Sequence, residues 1–256
     1  MKVVILAGGL GTRIREETVS KPKPLIKIGG KPIIWHIMKN LSTQGVNKFL
    51  ICTGYKSQSI KDYFMNYTSN SSDMKVTFGQ EPKVEFLTEE LTNHWEVSIV
   101  YTGELTPTGG RLFKVRDYIQ TDHLLCLYGD GLSDISLGDL IFSHENSGKA
   151  ATVTAVQPVS RFGVLDINPT GEVKSFKEKP KLDGWINAGY FIFQRDFIFT
   201  LDEDSTLETE PLYKLAEGGN LNAYKHDGFW QPMDTYRESS LLNELWSNGV
   251  PPWKIW

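Results

Sequence analysis

The sequence predicts a Rossmann-like α/β fold: a mixed, mainly parallel sheet flanked by helices, with a smaller antiparallel part in its second half. Three observations carry this. Short β-branched runs ending in glycine alternate with stretches of helical period through the first half. From Gly163 onward, strand-like runs crowd together with turn residues between them. No apolar run approaches a membrane span, so the hydrophobic residues, 40% of 256, are available for an internal core.

The elements follow in order. Lys2 to Leu6 reads as a buried strand closed by Gly8-Gly9. Pro32 to Ser42 reads as a helix, with proline in its first turn and Ile33, Ile34, Ile37, Met38 and Leu41 on one face. Phe49 to Cys52 is a second buried strand, and Ser59 to Tyr67 a second helix. Asn66 to Asn93 is polar and weakly periodic, the pattern of a long excursion or flap. His123 to Tyr128 is a strand ending in Gly129-Asp130-Gly131. A helix near Leu137 to Asn146 and a strand at Ala151 to Val156 follow. Val164 to Ile167, a turn at Asn168 to Gly171, Val173 to Phe176 and Ile186 to Phe193 read as antiparallel strands. Helices return at Pro211 to Glu217 and Thr235 to Trp246. Trp35 reads as core. Trp246, Trp253 and Trp256 leave two readings open, a subunit interface or packing onto their own domain.

The net charge is −4, which disfavours a general nucleic-acid binder. The charge is unevenly placed. Residues 1–31 carry Lys2, Arg13, Arg15, Lys21, Lys23, Lys27 and Lys31 against Glu16 and Glu17, a net +5, which leaves −9 on the remainder. An anionic ligand would therefore meet a local positive site. The two cysteines, Cys52 and Cys126, lie in apolar runs and read as buried thiols, which suits a reducing cytoplasmic setting. The five histidines have no metal-ligand spacing.

Leu6-Ala7-Gly8-Gly9-Leu10-Gly11-Thr12-Arg13 is the most informative segment. A strand that ends in glycines leaves backbone N–H groups open to a phosphate, Thr12 adds a hydroxyl and Arg13 a bidentate cation. Arg13-Ile14 stand where a P-loop needs Lys and Ser/Thr, and Ile14 stands where the dinucleotide pattern needs glycine. Lys21-Pro22-Lys23-Pro24 holds two ammonium groups on a chain stiffened by prolines, in an extended presentation.

Together these segments resemble the signature of the sugar nucleotidyltransferases: a Gly-Gly-x-Gly-Thr-Arg loop after the first strand, then Lys-Pro. Trp230-Gln231-Pro232-Met233-Asp234-Thr235, Thr108-Gly109-Gly110-Arg111-Leu112, Tyr128-Gly129-Asp130-Gly131, Arg161-Phe162-Gly163 and Glu178-Lys179-Pro180 are similar to the glucose-1-phosphate cytidylyltransferases within that family. The resemblance covers nearly the whole chain and is poorest over Asn66 to Trp95. It implies one domain over residues 1–256, with 1–135 mainly binding nucleotide and 136–256, including the antiparallel part, mainly binding sugar phosphate. The implied substrates are CTP and glucose 1-phosphate. UTP, dTTP or another hexose phosphate is an alternative, and an inactive nucleotide-sugar sensor is a further one.

By the same resemblance Leu6, Gly8, Gly9, Gly11, Thr12, Arg13, Lys23, Gly109, Gly110, Arg111 and Asp130 bind the nucleotide. Arg13 and Lys23 are catalytic, Lys23 over the α-phosphate and Arg13 on the departing pyrophosphate. Arg111 is expected to donate to the base carbonyl. Tyr128, Glu178, Lys179, Asn187 and Gly189 line the sugar-phosphate site. Asp130 and Asp234 are implied ligands of Mg²⁺, although Asp234 could equally cap the helix that follows it. A homo-oligomer, trimer or hexamer, is implied, with no nucleic acid and no membrane as partner.

Overall fold

Lys2 to Ala7 alternate between two hydrophobic cores: Val3, Ile5 and Ala7 point to one, Val4 and Leu6 to the other. This strand, β1, is an interior strand of a seven-stranded sheet. The others are β2 (Lys48–Thr53), β3 (Glu96–Tyr101), β4 (His123–Tyr128), β5 (Ala151–Val156), β6 (Ile186–Gln194) and β7 (Leu221–His226), in the order β7-β5-β6-β4-β1-β2-β3. The structure is a computed structural model and describes residues 1–87, 94–160 and 162–256. Neighbours in the sheet run parallel, except that β6 is antiparallel to both β5 and β4.

The first core is covered by α1 (Ile33–Thr43), α2 (Ser57–Met65), α4 (Leu137–Ser147) and α6 (Tyr236–Ser247), through Ile34, Ile37, Ile60, Leu140 and Leu242. The second is covered by α3 (Thr108–Val115) and α5 (Glu210–Glu217), through Leu112, Val115, Leu212 and Leu215. Two buried faces explain why the strands read as continuous apolar runs. No helix among the described residues is long and apolar enough to cross a membrane.

Three expectations change. The second helix ends at Met65, and a separate short turn spans Tyr67–Ser71. The excursion after it contains an antiparallel hairpin, Met74–Thr77 with Lys83–Phe86, while residues 88–93 of that segment lie outside the described residues. Ile186–Gln194 is antiparallel as expected but belongs to the main sheet, so of the strands expected from Gly163 onward only the hairpin Val164–Ile167 with Val173–Lys177 stands outside it. Strands β3 and β7 are additions that the sequence reading did not contain.

Cys52 and Cys126 are free and buried. They lie opposite Leu6 and Val4 on the two strands flanking β1, so a whole strand separates them, too far for a disulfide. The C-terminal tryptophans pack onto their own domain. Trp253 is fully buried, Trp246 lies 4.9 Å from the His36 ring, and Trp256 lies 5.9 Å from Trp35.

His36 is the polar centre of this cluster. Its Nε2 lies 2.8 Å from Ile28 O, and Trp253 Nε1–H donates to its Nδ1 at 3.3 Å. One nitrogen thus donates and the other accepts, which only neutral imidazole can do. Burial pushes its pKa from 6.5 down to about 4. A depressed value means that the unfolded chain takes the proton first. Stability is fully present above about 6.5 and is lost as pH falls towards 4, by up to roughly 3 kcal/mol. The slope of urea-unfolding stability against pH checks this, and His36→Gln should flatten that slope.

Candidate active site

The loop after β1 is shaped by Gly11. Its φ is +64°, and the Thr18 methyl occupies the space that a Cβ would need. Thr18 Oγ1 donates to Gly11 O at 3.1 Å, closing the loop, and fully buried Ile14 pins the turn Thr12–Ile14. Nothing stands within 4 Å of a Cβ built on Gly9, so the backbone there is open to a ligand. Arg13 is 75% exposed and reaches across the opening to Asp234 Oδ2 at 2.6 Å.

Lys23 is presented differently from expectation. Pro22 is extended, but Lys23–Leu25 forms a single 3₁₀ turn with Pro24 buried in it. Proline fits the first positions of such a turn because it has no N–H to leave unpaired. The turn aims the Lys23 ammonium at Asp130 Oδ2, 2.6 Å away, and Asp234 Oδ1, 2.5 Å away. Burial alone would lower the Lys23 pKa, but Asp130 and then Asp234 more than offset it, so it stands above 10.5.

The aspartates, 104 residues apart in the chain, are joined by a two-stranded ribbon. Gly131–Ser133 pairs antiparallel with Trp230–Pro232, with Gly131 opposite Pro232. Gly129 N–H donates to Leu6 O at 3.0 Å and Met233 N–H to Asp130 O at 2.8 Å, fixing Asp130 beside the β1 loop and Asp234 beside Asp130. Asp234 is not the helix cap. Thr235 caps α6 and forms a capping box with Glu238, whose carboxylate also accepts from the Asp234 N–H at 2.7 Å. The Asp234 side chain is left to the cations. Among the described residues no three His, Cys, Asp or Glu gather as a metal cage. The Asp130–Asp234 pair converges on one positive charge, and Mg²⁺ needs only one or two carboxylates beside phosphate and water.

Arg111 does not present its guanidinium to a base. It is 4% exposed, and Nη1 and Nη2 donate to Thr53 O, Thr102 Oγ1, Gly103 O, Gly8 O and Glu104 O at 2.7–3.2 Å. It clamps the β1 loop to the loops after β2 and β3, and burial lowers its pKa. Arg111→Met should cost about 3 kcal/mol, because it strands buried acceptors, and the urea midpoint would show it. Gly109 and Gly110 also fall outside the cleft. Both lie against the backbone of Glu203–Ser205, and the Gly110 N–H donates to Ser205 O at 2.8 Å.

Leu6, Gly8, Gly9, Gly11, Thr12, Arg13, Lys23, Tyr128, Asp130 and Asp234 do line a single cleft of about 450 Å³, and part of Arg111 reaches its wall. A second cavity of about 690 Å³ adjoins it, lined by Lys179, Lys181, Trp230, Gln231 and Arg237, and Asp234 borders both. Lys179 takes a positive φ of 46° and pairs with Glu178 Oε1 at 3.8 Å. Asn187 and Gly189 meet the other side of Tyr128: the Tyr128 ring fills the space where a Gly189 Cβ would stand, and Asn187 Oδ1 accepts from the Gly189 N–H at 2.7 Å. Arg161 lies outside the described residues. Thr108, which stands in the motif Thr108 to Leu112 but was assigned no role, also lines the cleft, and Glu208 behind it has no local pattern to mark it.

A family model described as nucleotidyl transferase matches residues 2–242. The glucose-1-phosphate cytidylyltransferase of Salmonella typhimurium is 49% identical over 259 residues, with 100% of both chains covered. The probable glucose-1-phosphate cytidylyltransferase of Bacillus subtilis is 43% identical over 260 residues, again with 100% of both covered. The crystal structure of HddC from Yersinia pseudotuberculosis shares the fold, with a TM-score of 0.71 at 24% identity over 96% of this chain and 99% of that one. This chain belongs to the nucleotidyl transferase family.

Proposed function

We propose that the protein transfers the cytidylyl group of CTP to α-D-glucose 1-phosphate, giving CDP-glucose and pyrophosphate. The observation that carries this is the meeting of two cavities at Asp234, beside a lysine held between two aspartates. Full-length identity to glucose-1-phosphate cytidylyltransferases supports the choice of substrates.

In this reading the triphosphate lies along Gly8, Gly9, Gly11 and Thr12, and the sugar phosphate enters from the Lys179 side. An oxygen of the sugar phosphate attacks the α-phosphorus in line, a new P–O bond forms, and the bond to pyrophosphate breaks. No protein nucleophile is needed, so the residues position and neutralise. Lys23 neutralises the α-phosphate as charge builds, and Arg13 holds the departing pyrophosphate. Glu178 and Asn187 accept from sugar hydroxyls, and Gly189 keeps the Tyr128 wall in place. Asp130 and Asp234 hold Mg²⁺, which when bound supplies charge neutralisation to the phosphates.

The same reading carries a homo-oligomer. Met74, Val76, Phe78, Val84 and Phe86 on the outer hairpin are exposed, an apolar strip that a second copy would cover. It also carries a cytoplasmic setting, in keeping with the free buried thiols. Pyrophosphate release from a panel of nucleoside triphosphates and hexose 1-phosphates tests the reaction. Release is expected with CTP and glucose 1-phosphate above every other pair, and no release with any pair would overturn it.

A further inference from the structure

Three side chains at the back of the nucleotide cleft form a closed set of hydrogen bonds. Tyr128, at the end of β4, and Thr108, at the start of α3, line the cleft. Glu208 sits half-buried in the turn before α5 and is not among the lining residues. The Tyr128 hydroxyl donates to Glu208 Oε1, and Thr108 Oγ1 donates to Glu208 Oε2 at 2.7 Å. Thr108 Oγ1 in turn accepts from the Leu207 N–H at 2.9 Å.

A hydroxyl has one proton and two lone pairs. At Thr108 the proton goes to Glu208 and one lone pair to Leu207. At Tyr128 the proton goes to Glu208. We propose that Glu208 is a positioning residue that sets the recognition character of this wall: by taking both hydroxyl protons it leaves Tyr128 and Thr108 only acceptor lone pairs to offer the ligand. The wall then selects a substrate group that donates a hydrogen bond and rejects one that can only accept.

Two supports stand beside the geometry. The Tyr128 ring cannot swing towards β6, because it already packs against the Cα of Gly189. Burial, and then the Glu208 carboxylate, push the Tyr128 pKa up, which keeps its proton in place as a donor to Glu208. The inference rests on the reading of this cleft as the nucleotide and sugar-phosphate site. The donor has two sources there. The exocyclic amine of cytosine donates where the uracil carbonyl can only accept, and a sugar or ribose hydroxyl can turn its proton to the wall.

The test compares wild-type, Glu208→Gln, Tyr128→Phe/Thr108→Val and the triple variant, by steady-state kinetics and by calorimetric binding of CTP and UTP. A glutamine accepts one hydroxyl but offers an N–H to the other, which must then turn its proton into the cleft. Glu208→Gln is expected to raise one KM by about 10-fold or more, with kcat within about threefold. If the donor is the cytosine amine, the preference for CTP over UTP falls by about the same factor in both assays. If it is a sugar hydroxyl, the KM for glucose 1-phosphate rises and the CTP/UTP ratio holds. In the Tyr128→Phe/Thr108→Val background, Glu208→Gln should add nothing. Unchanged KM values and nucleotide affinities, a loss confined to kcat, or a Glu208→Gln effect that persists in that background would each overturn the inference. Glu208→Asp, which keeps the charge but shortens the reach, gives the same reading should the glutamine variant fold poorly. Wild-type protein that releases no pyrophosphate would instead overturn the reaction, while its CTP/UTP binding ratio still reads the wall.

Discussion

Lys23→Ala is expected to lower kcat by about 100-fold or more while the KM for CTP stays within a few-fold. The reason is the state in which the ammonium is kept. It is only 11% exposed and is fixed by Asp130 and Asp234 at 2.6 and 2.5 Å. A charge held in that way need not reorganise when negative charge builds on a phosphate, and such a charge acts on the transition state more than on the bound substrate. Lys23→Arg should not rescue turnover, because a planar guanidinium cannot sit as a point between two carboxylates. A kcat near that of wild type would remove Lys23 from the mechanism. The stability of the protein offers an independent check on the same contact. The folded pKa of Lys23 is raised above 10.5, so the contribution of the ion pairs is complete below that pH and is lost as pH rises through the folded value. The stability difference between wild-type and Lys23→Ala should therefore be constant near neutrality and shrink in strong alkali.

The sequence revealed the centre of the fold and of the site better than their edges. β1, β2 and β4 are buried on both faces, so their apolar runs stand out against glycine and need no partner to be recognised. β3 and β7 are the edge strands, with mixed patterns such as Glu96-Val97-Ser98-Ile99 and Leu221-Asn222-Ala223-Tyr224, and only the sheet beside them makes them strands. The site follows the same rule. Gly11, Arg13, Lys23 and Asp130, which line the cleft, sit in segments marked locally by glycine and proline. That Asp234 stands beside Asp130 depends on the pairing of Gly131 with Pro232, which no local pattern announces. Arg111 shows the opposite failure. Its motif was legible, but its donors point to Gly8 O and Gly103 O, a fact of tertiary packing. Glu208 was invisible because its partners Thr108 and Tyr128 lie 100 and 80 residues away.

Asp234→Asn and Thr235→Ala should separate function from stability across one peptide bond. Thr235 caps α6, with its hydroxyl accepting from the Glu238 N–H at 3.3 Å and Glu238 closing the box. Loss of that cap costs about 1 kcal/mol and about 2–4 °C of Tm in a protein of this size, with the Mg²⁺ requirement unchanged. Asp234 contributes no capping bond from its side chain; its carboxylate faces Lys23 and Arg13. Asparagine keeps the shape and removes the charge. The Mg²⁺ concentration for half-maximal activity should rise by about 10-fold or more, since one of two carboxylates is gone from a site that needs one or two. Without metal the same variant loses its ion pairs with Lys23 and Arg13, so the raised pKa of Lys23 keeps only the support of Asp130 and should fall towards 10.5. An Asp234→Asn variant with lower Tm and an unaltered Mg²⁺ requirement would show instead that this carboxylate serves α6, and that Asp130 alone carries the charge at the junction of the two cavities.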